Sequence, residues 1–99
     1  MVDKDICTEA IQYWGEDYML NVCAEEPSEL IQAISKYRRY GTEAEVESIT
    51  EEMADVSIIL EELKIILEQN GYENIDDRVR EWVRKKQLRT MSRMGRLDK

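Results

Sequence analysis

The chain has 99 residues, of which 22 are acidic, 14 are basic and none is histidine, and its net charge is -8. A chain of this length forms one domain, so we expect a single domain over residues 1–99, frayed from about residue 96. The absence of histidine excludes Ser-His and Cys-His nucleophiles and histidine-ligated metal sites. The net charge argues against nucleic acid or an anionic membrane as a partner. Chemistry must therefore use carboxylates, Lys, Arg, hydroxyls or a hard metal ion.

The two cysteines, Cys7 and Cys23, match no metal-binding or redox spacing. The sequence shows neither a signal peptide nor a long apolar run. We therefore expect two reduced, small apolar side chains in a cytoplasmic protein. A chain of this size buries only roughly 60–68% of its unfolded surface, so oligomerisation is a natural way to add buried area.

The charge is unevenly distributed along the chain. Residues 1–70 carry 17 acids and 5 bases, a net of -12, whereas residues 71–99 carry 5 acids and 9 bases, a net of +4. The chain thus has an acidic body and a basic tail, and its function has to account for both.

The first two predicted helices are separated by Gly15. The first runs from about Asp3 to Tyr13, with Ile6, Ala10 and Trp14 at helical spacing. The second runs from about Glu16 to Tyr40 and ends at a natural cap, Gly41. Its apolar positions have the 3.6-residue period of a half-buried helix: Leu20, Cys23, Ala24, Leu30, Ile31, Ala33, Ile34 and Tyr37.

Two further helices are predicted after Gly41. The third runs from about Glu45 to Asn70, with an apolar face of Ile49, Met53, Val56, Ile59, Leu60, Leu63, Ile66 and Leu67. The fourth begins near Ile75, where two aspartates suit the positive end of the helix dipole. Its apolar side comprises Val79, Trp82, Val83 and Leu88. The short connections favour antiparallel neighbours, so the expected fold is a small all-α bundle.

Pro27 conflicts with the second helix. It removes the backbone bond to the Cys23 carbonyl and disfavours helical geometry at Glu26. The helix is therefore either kinked at Pro27 or starts anew there.

Two acidic pairs interrupt the apolar faces of the second and third helices. Glu26 and Glu29 are three residues apart and share one helix face, as do Glu52 and Asp55. If the two helices pack antiparallel, the pairs can face each other across the groove.

Carboxylates that converge in this way repel one another, by about 4 kcal/mol for each pair at 4 Å and an effective dielectric of ~20. Such a cluster persists only if protons or cations neutralise it, and an all-oxygen site suits Mg²⁺ or Mn²⁺. The alternative is that the acids are solvated surface charges. That is what we expect for the other acids of the third helix, Glu43, Glu45, Glu47, Glu61, Glu62 and Glu68.

The basic tail offers groups suited to phosphate oxygens. Lys86, Arg89 and Arg93 recur at steps of three and four and share one face of the fourth helix. Lys36, near the end of the second helix, is a weaker candidate. Alternatively, the fourth helix is held by salt bridges and simply neutralises the acidic body.

The acidic pattern resembles that of a known family. Glu25-Glu26-x-x-Glu29 followed by Glu52-x-x-Asp55 is similar to the EExxE…ExxD signature of the MazG-like all-α nucleoside triphosphate pyrophosphohydrolases. The segments around both halves, and Lys86-x-x-Arg89-x-x-x-Arg93, also resemble family segments. The resemblance covers roughly residues 10 to 94.

The resemblance implies Mg²⁺-dependent hydrolysis of a nucleoside triphosphate between the α and β phosphates. It implies four metal ligands, Glu26, Glu29, Glu52 and Asp55. Glu25 would orient or deprotonate the attacking water, and Lys86, Arg89 and Arg93, with Lys36 as a weaker candidate, would hold the triphosphate. It also implies a helical bundle whose sites are completed by a second subunit, hence a homodimer or homotetramer.

Two alternatives stay open at this point. Phosphoribosyl-ATP pyrophosphohydrolase belongs to the same superfamily, but it usually shows a Tyr-His step where this chain has Val56-Ser57. A non-enzymatic helical interaction protein would carry the acids merely as solvated charges. Trp14 and Tyr18 could stack on a nucleobase, although aromatic residues at helical spacing are more often part of a core.

Overall fold

The computed structural model describes residues 1–95, which form four α-helices and no strand. Helix α1 spans Lys4–Trp14, α2 spans Glu16–Tyr40, α3 spans Glu43–Gln69 and α4 spans Ile75–Arg93. The predicted all-α class is confirmed, and the tail predicted to fray lies outside the described residues. Within residues 1–95, none of the helices has both the length and the apolar character of a membrane span.

The helix ends are set by local side chains and by glycine. The Asp3 carboxylate accepts hydrogen bonds from the backbone N–H groups of Asp5 and Ile6 at 2.9 and 3.2 Å, which caps α1. Gly41 ends α2 with φ 63°, a left-handed conformation that favours glycine. At the start of α3 the Glu45 carboxylate accepts hydrogen bonds from both the backbone N–H and the hydroxyl of Thr42.

Helices α2 and α3 form an antiparallel hairpin. The start of α2 meets the end of α3, where the Asn70 amide donates to the Glu16 carboxylate at 2.7 Å. Further along α2, the Cys23 thiol lies 3.7 Å from the Ile59 carbonyl oxygen, which is earlier in α3. The contacts therefore run in opposite directions along the two helices, as the short connection predicts.

The core lies where α1 crosses this hairpin. It contains Cys7, Ile11, Met19, Ile65 and Ile66, all with less than a tenth of their surface exposed. Both cysteines are free and buried, as the sequence predicts. Of the three residues predicted on the apolar face of α1, Ala10 packs against this core. The prediction was wrong for Ile6 and Trp14, which are exposed.

Pro27 does not interrupt α2, which continues as one helix from Glu16 to Tyr40. Beside it, the Ser28 hydroxyl donates to the Glu25 carbonyl oxygen at 2.7 Å, whereas the carbonyl that loses its helical donor to proline is that of Cys23. The structure therefore does not show the new helix start that the sequence left open.

Two acids predicted at the surface are withdrawn from it: Glu61 is half-buried and pairs with Lys64 at 2.8 Å, and Glu62 is buried. We expected a surface charge, but its side chain is 5% exposed and faces the core between α1 and α2. Burial raises the pKa of its carboxyl. The spacing from Ile59 to Glu62 to Ile66 places all three on one face of α3, a signal that the sequence does contain.

Helix α4 stands partly apart from the other three. Within the described residues it packs against α3 alone, and Ile75 is its one buried residue. Lys64 of α3 fixes its first turn through an ion pair with Asp76 at 3.3 Å. The predicted apolar side of α4 is exposed in this chain, with Val79 and Trp82 more than half accessible.

Candidate metal centre

The two acidic pairs meet on the facing sides of α2 and α3. Glu26 and Glu29 lie on successive turns of α2, and Glu52 and Asp55 lie on successive turns of α3. Each carboxylate offers an oxygen that lies within 4.8 Å of one offered by each of the other three. The expectation that the antiparallel hairpin brings both pairs together is therefore confirmed.

The cluster is partly withdrawn from water. Glu26, Glu52 and Asp55 are half-buried, and Glu29 is exposed at the rim. Burial, followed by the charges of Glu29 and Asp55, raises the pKa of Glu26. The same causes in the same order raise the pKa of Glu52. In both residues desolvation and like charge act against the ionised form.

Two oxygens of the cluster have no partner. Within residues 1–95, Glu26 Oε2 and Glu52 Oε2 are buried without a hydrogen bond, and none of the four carboxylates belongs to an ion pair in that part of the chain. A buried carboxylate oxygen left alone is costly. These oxygens therefore fit a cation that is held between the helices.

The donor set indicates which kind of cation fits. Four carboxylates from two helices form an all-oxygen site, which suits hard divalent ions such as Mg²⁺ and Mn²⁺. No nitrogen or sulfur ligand lies among them, since the nearby Cys23 thiol instead points to the Ile59 carbonyl. The spacing of the four acids in the sequence also allowed ordinary solvated surface charges. Their partial burial and the two carboxylate oxygens without a hydrogen-bond partner favour a metal site.

Glu25 lies beside the cluster and outside it. Its side chain is exposed on α2 and does not belong to the four-carboxylate set. It is thus available to solvent at the edge of the site, which is compatible with the role in handling water that the resemblance implies.

The predicted phosphate-binding residues do not reach the cluster within one chain. Lys86, Arg89 and Arg93 are exposed on α4, which does not contact α2 in the described residues. Lys36 lies about two turns beyond Glu29, near the first turn of α3. There it contributes, after hydrogen bonds from Thr42, to lowering the pKa of Glu45. The structure thus brings the metal ligands together and leaves the cations apart from them.

The aromatic residues suggested for base stacking form an exposed group at the junction of α1 and α2. The rings of Trp14 and Tyr18 stack with centroids 6.2 Å apart, and both side chains are more than half exposed. Neither belongs to the core, which was the alternative. Tyr18 lies eight residues before Glu26, or about 12 Å along the helix.

Comparison with known proteins gives one positive finding. Residues 15–94 match the family described as the MazG nucleotide pyrophosphohydrolase domain. No curated protein and no solved structure matches the sequence significantly. The family match spans α2, α3 and α4 and includes all four clustered carboxylates. The chain therefore belongs to the MazG nucleotide pyrophosphohydrolase domain family.

Proposed function

We propose that the chain is a Mg²⁺-dependent nucleoside triphosphate pyrophosphohydrolase. It would hydrolyse a (d)NTP between the α and β phosphates, giving a (d)NMP and pyrophosphate. The observation that carries the proposal is the half-buried cluster of four carboxylates, with two unpartnered oxygens, inside the family match.

Each side chain of the cluster has a defined part in this proposal. Glu26, Glu29, Glu52 and Asp55 hold Mg²⁺, with Mn²⁺ as a possible substitute. When bound, a divalent ion would offset two of the four negative charges of the ionised cluster and would supply a Lewis acid for phosphate oxygens and for the attacking water. Glu25, exposed next to the cluster, orients that water or accepts its proton. The absence of histidine is compatible with this chemistry, because the rest of the catalysis is positioning and charge stabilisation.

The triphosphate needs cations that a single chain does not place at the cluster. We assign this part to Lys86, Arg89 and Arg93 of α4, with Lys36 as an additional contact. Because α4 packs against α3 alone within the described residues, its basic stripe is free to approach a second copy of the chain. The homodimer or homotetramer implied by the family resemblance is therefore part of the proposal.

The base would lie beyond the triphosphate, and Trp14 and Tyr18 are two exposed aromatic residues at the junction of α1 and α2. An extended nucleotide has to cover about 12 Å of α2 to reach them from the cluster. Base preference is the property that substitution of these two residues should alter.

The experiment is an incubation of the protein with a panel of NTPs, dNTPs and phosphoribosyl-ATP, with Mg²⁺ or with a chelator. We expect a nucleoside monophosphate and pyrophosphate in equal amounts, only when the metal is present. A nucleoside diphosphate and orthophosphate would contradict cleavage between the α and β phosphates. Turnover of phosphoribosyl-ATP alone would identify the related biosynthetic activity. Absence of product from every compound would contradict the proposed pyrophosphohydrolase activity.

A further inference from the structure

Trp82 lies on the same side of α4 as the three cations assigned to the triphosphate. The steps from Trp82 to Lys86, then to Arg89 and then to Arg93 are four, three and four residues. At 100° per residue, these four side chains stay within about 60° of one another around the helix axis. The basic stripe of α4 therefore begins with an aromatic ring, about one turn before its first cation.

The ring of Trp82 lies outside the contact between α4 and α3. Its side chain is 55% exposed, and the groove between the two helices is lined on α4 by Val79 and Val83 but not by Trp82. Val83 is one residue further along the chain, about 100° around the helix. The structure thus separates Trp82 from the side of α4 that faces α3, although the sequence predicted both residues on one apolar side.

Two ammonium groups lie beside this ring. The Lys85 nitrogen is 5.0 Å from the ring centroid and the Lys86 nitrogen is 6.0 Å from it, distances at which a cation is attracted to an aromatic face. This attraction joins the ring to the first cation of the basic stripe. An exposed aromatic ring beside a track of cations is the arrangement with which proteins hold single-stranded nucleotides, the base on the ring and the phosphates on the cations.

The order of these groups along α4 matches the order of groups in a nucleoside triphosphate. Lys86 is about 6 Å beyond Trp82 along the helix axis, and Arg93 is about 16.5 Å beyond it. A base that stacks on the ring has its α phosphate nearest Lys86 and its β and γ phosphates toward Arg89 and Arg93. The bond cleaved in the proposed function then lies between the cation that holds the monophosphate and the two that hold pyrophosphate.

We propose that Trp82 is a stacking platform for the base of the nucleoside triphosphate. This inference rests on the proposed function, in which α4 supplies the cations for the phosphates, and it adds a base contact on the same helix. Every nucleobase has a π face, so the platform favours nucleotides over base-free polyphosphates without selecting one base. A base has two faces, so a stack on Trp82 leaves the other face for Trp14 and Tyr18.

The test compares two ligands of the full chain in the presence of Mg²⁺, by titration calorimetry. One is a dNTP analogue whose α,β bridge resists hydrolysis, and the other is tripolyphosphate, which has three phosphates and no base. Trp82→Leu should weaken binding of the analogue by at least about fivefold, the lower end of what base stacking contributes, and should leave the Kd of tripolyphosphate unchanged. Trp82→Phe keeps an aromatic face and should retain most of the affinity for the analogue.

Tyr72→Leu is the matched control, since Tyr72 lies between α3 and α4 and is 54% exposed, almost the same as Trp82. It should change neither Kd. Equal weakening of both ligands in Trp82→Leu would show that Trp82 supports the structure of the site, and unchanged binding of the analogue would show that no base stacks there. Either result would overturn the platform and leave the proposed function standing. A wild type that binds neither ligand would contradict the proposed function and, with it, this inference.

Discussion

At the scale of single residues, the four clustered carboxylates destabilise the folded state when no cation is bound. Their oxygens lie within 4.8 Å of one another, and two of them are buried without a partner in residues 1–95. Repulsion between ionised pairs at about this distance is roughly 4 kcal/mol at an effective dielectric of 20. A bound cation would offset this repulsion, so the arrangement is a candidate cation-binding site.

The metal ligands should therefore be essential for turnover. Glu29→Gln and Asp55→Asn keep the shape of each side chain but remove its charge, so we expect pyrophosphate release to fall at least about 100-fold, since losing even outer-shell partners costs 10–100-fold. Circular dichroism should show unchanged helix content. Glu51→Gln, an exposed neighbour outside the cluster, is the control and should retain activity. Full activity in Asp55→Asn would refute the ligand assignment.

Glu62 gives a prediction about pH and stability. Burial raises the pKa of the Glu62 carboxyl in the folded chain above the ordinary value of 4.5. The contribution of the neutral side chain to the free energy of unfolding is therefore fully present below pH 4.5 and is lost as the pH rises through the folded pKa. Glu62→Gln cannot ionise and should avoid this loss. The variant should melt close to the wild type at pH 4 and several degrees above it at pH 7.5. Glu68→Gln, exposed on the same helix, should melt at the same temperature relative to the wild type at both pH values. A change in melting temperature for Glu62→Gln that is the same at both pH values would contradict the role of ionisation.

At the scale of helices, Pro27 is the residue that most directly tests the continuity of α2. A proline inside a helix costs about 3 kcal/mol relative to alanine, and α2 is continuous across it. Pro27→Ala should therefore raise the free energy of unfolding by about 1–3 kcal/mol, measured by denaturant titration. If a new helix started at Pro27, where proline is well tolerated, the substitution would not stabilise the protein.

The role of α4 can be tested separately from the metal cluster. Lys86→Ala, Arg89→Ala and Arg93→Ala should each raise the KM for the triphosphate by about tenfold, equivalent to about 1.4 kcal/mol, if they hold phosphate oxygens. Arg84→Ala is the control, because Arg84 is two residues before Lys86, about 200° around the helix, and pairs with Glu81 at 2.7 Å. An equal rise in KM for Arg84→Ala would show a general effect of charge and not a specific contact.

The helices and the metal cluster were predictable because both depend on local spacing. Gly15 and Gly41 separate the helices. Each acid pair at spacing three shares one helix face, so the two pairs can meet when the helices pack antiparallel. The packing faces were not predictable to the same extent. The sequence predicts one apolar face on α2 and one on α3, and nothing local distinguishes the residues of that face that enter the core from those that remain exposed. For the same reason Ile6 and Trp14 of α1 were expected to be apolar contacts. Glu62 was expected at the surface because of its charge, although its spacing from the buried isoleucines of α3 places it on the core side.

At the scale of the whole molecule, the distribution of charge has a structural counterpart. The acidic body is the α1–α3 unit, in which the cluster lies, and the basic excess is on α4, which contacts only α3 within residues 1–95. A single chain therefore separates the two charge regions that a metal-bound triphosphate would need together. The second copy of the chain included in the proposed function is one way in which the two regions could come together.

The most direct test of the metal centre is the melting temperature as a function of Mg²⁺ concentration. A ligand that binds only the folded state stabilises it by about 2.7 kcal/mol at 100 times its Kd, which is about 10 °C or more for a domain of this size. We predict such a rise for the wild type, beginning from a chelated sample, and its loss in Glu29→Gln. A wild-type melting temperature that is indifferent to Mg²⁺ and Mn²⁺ would contradict the account.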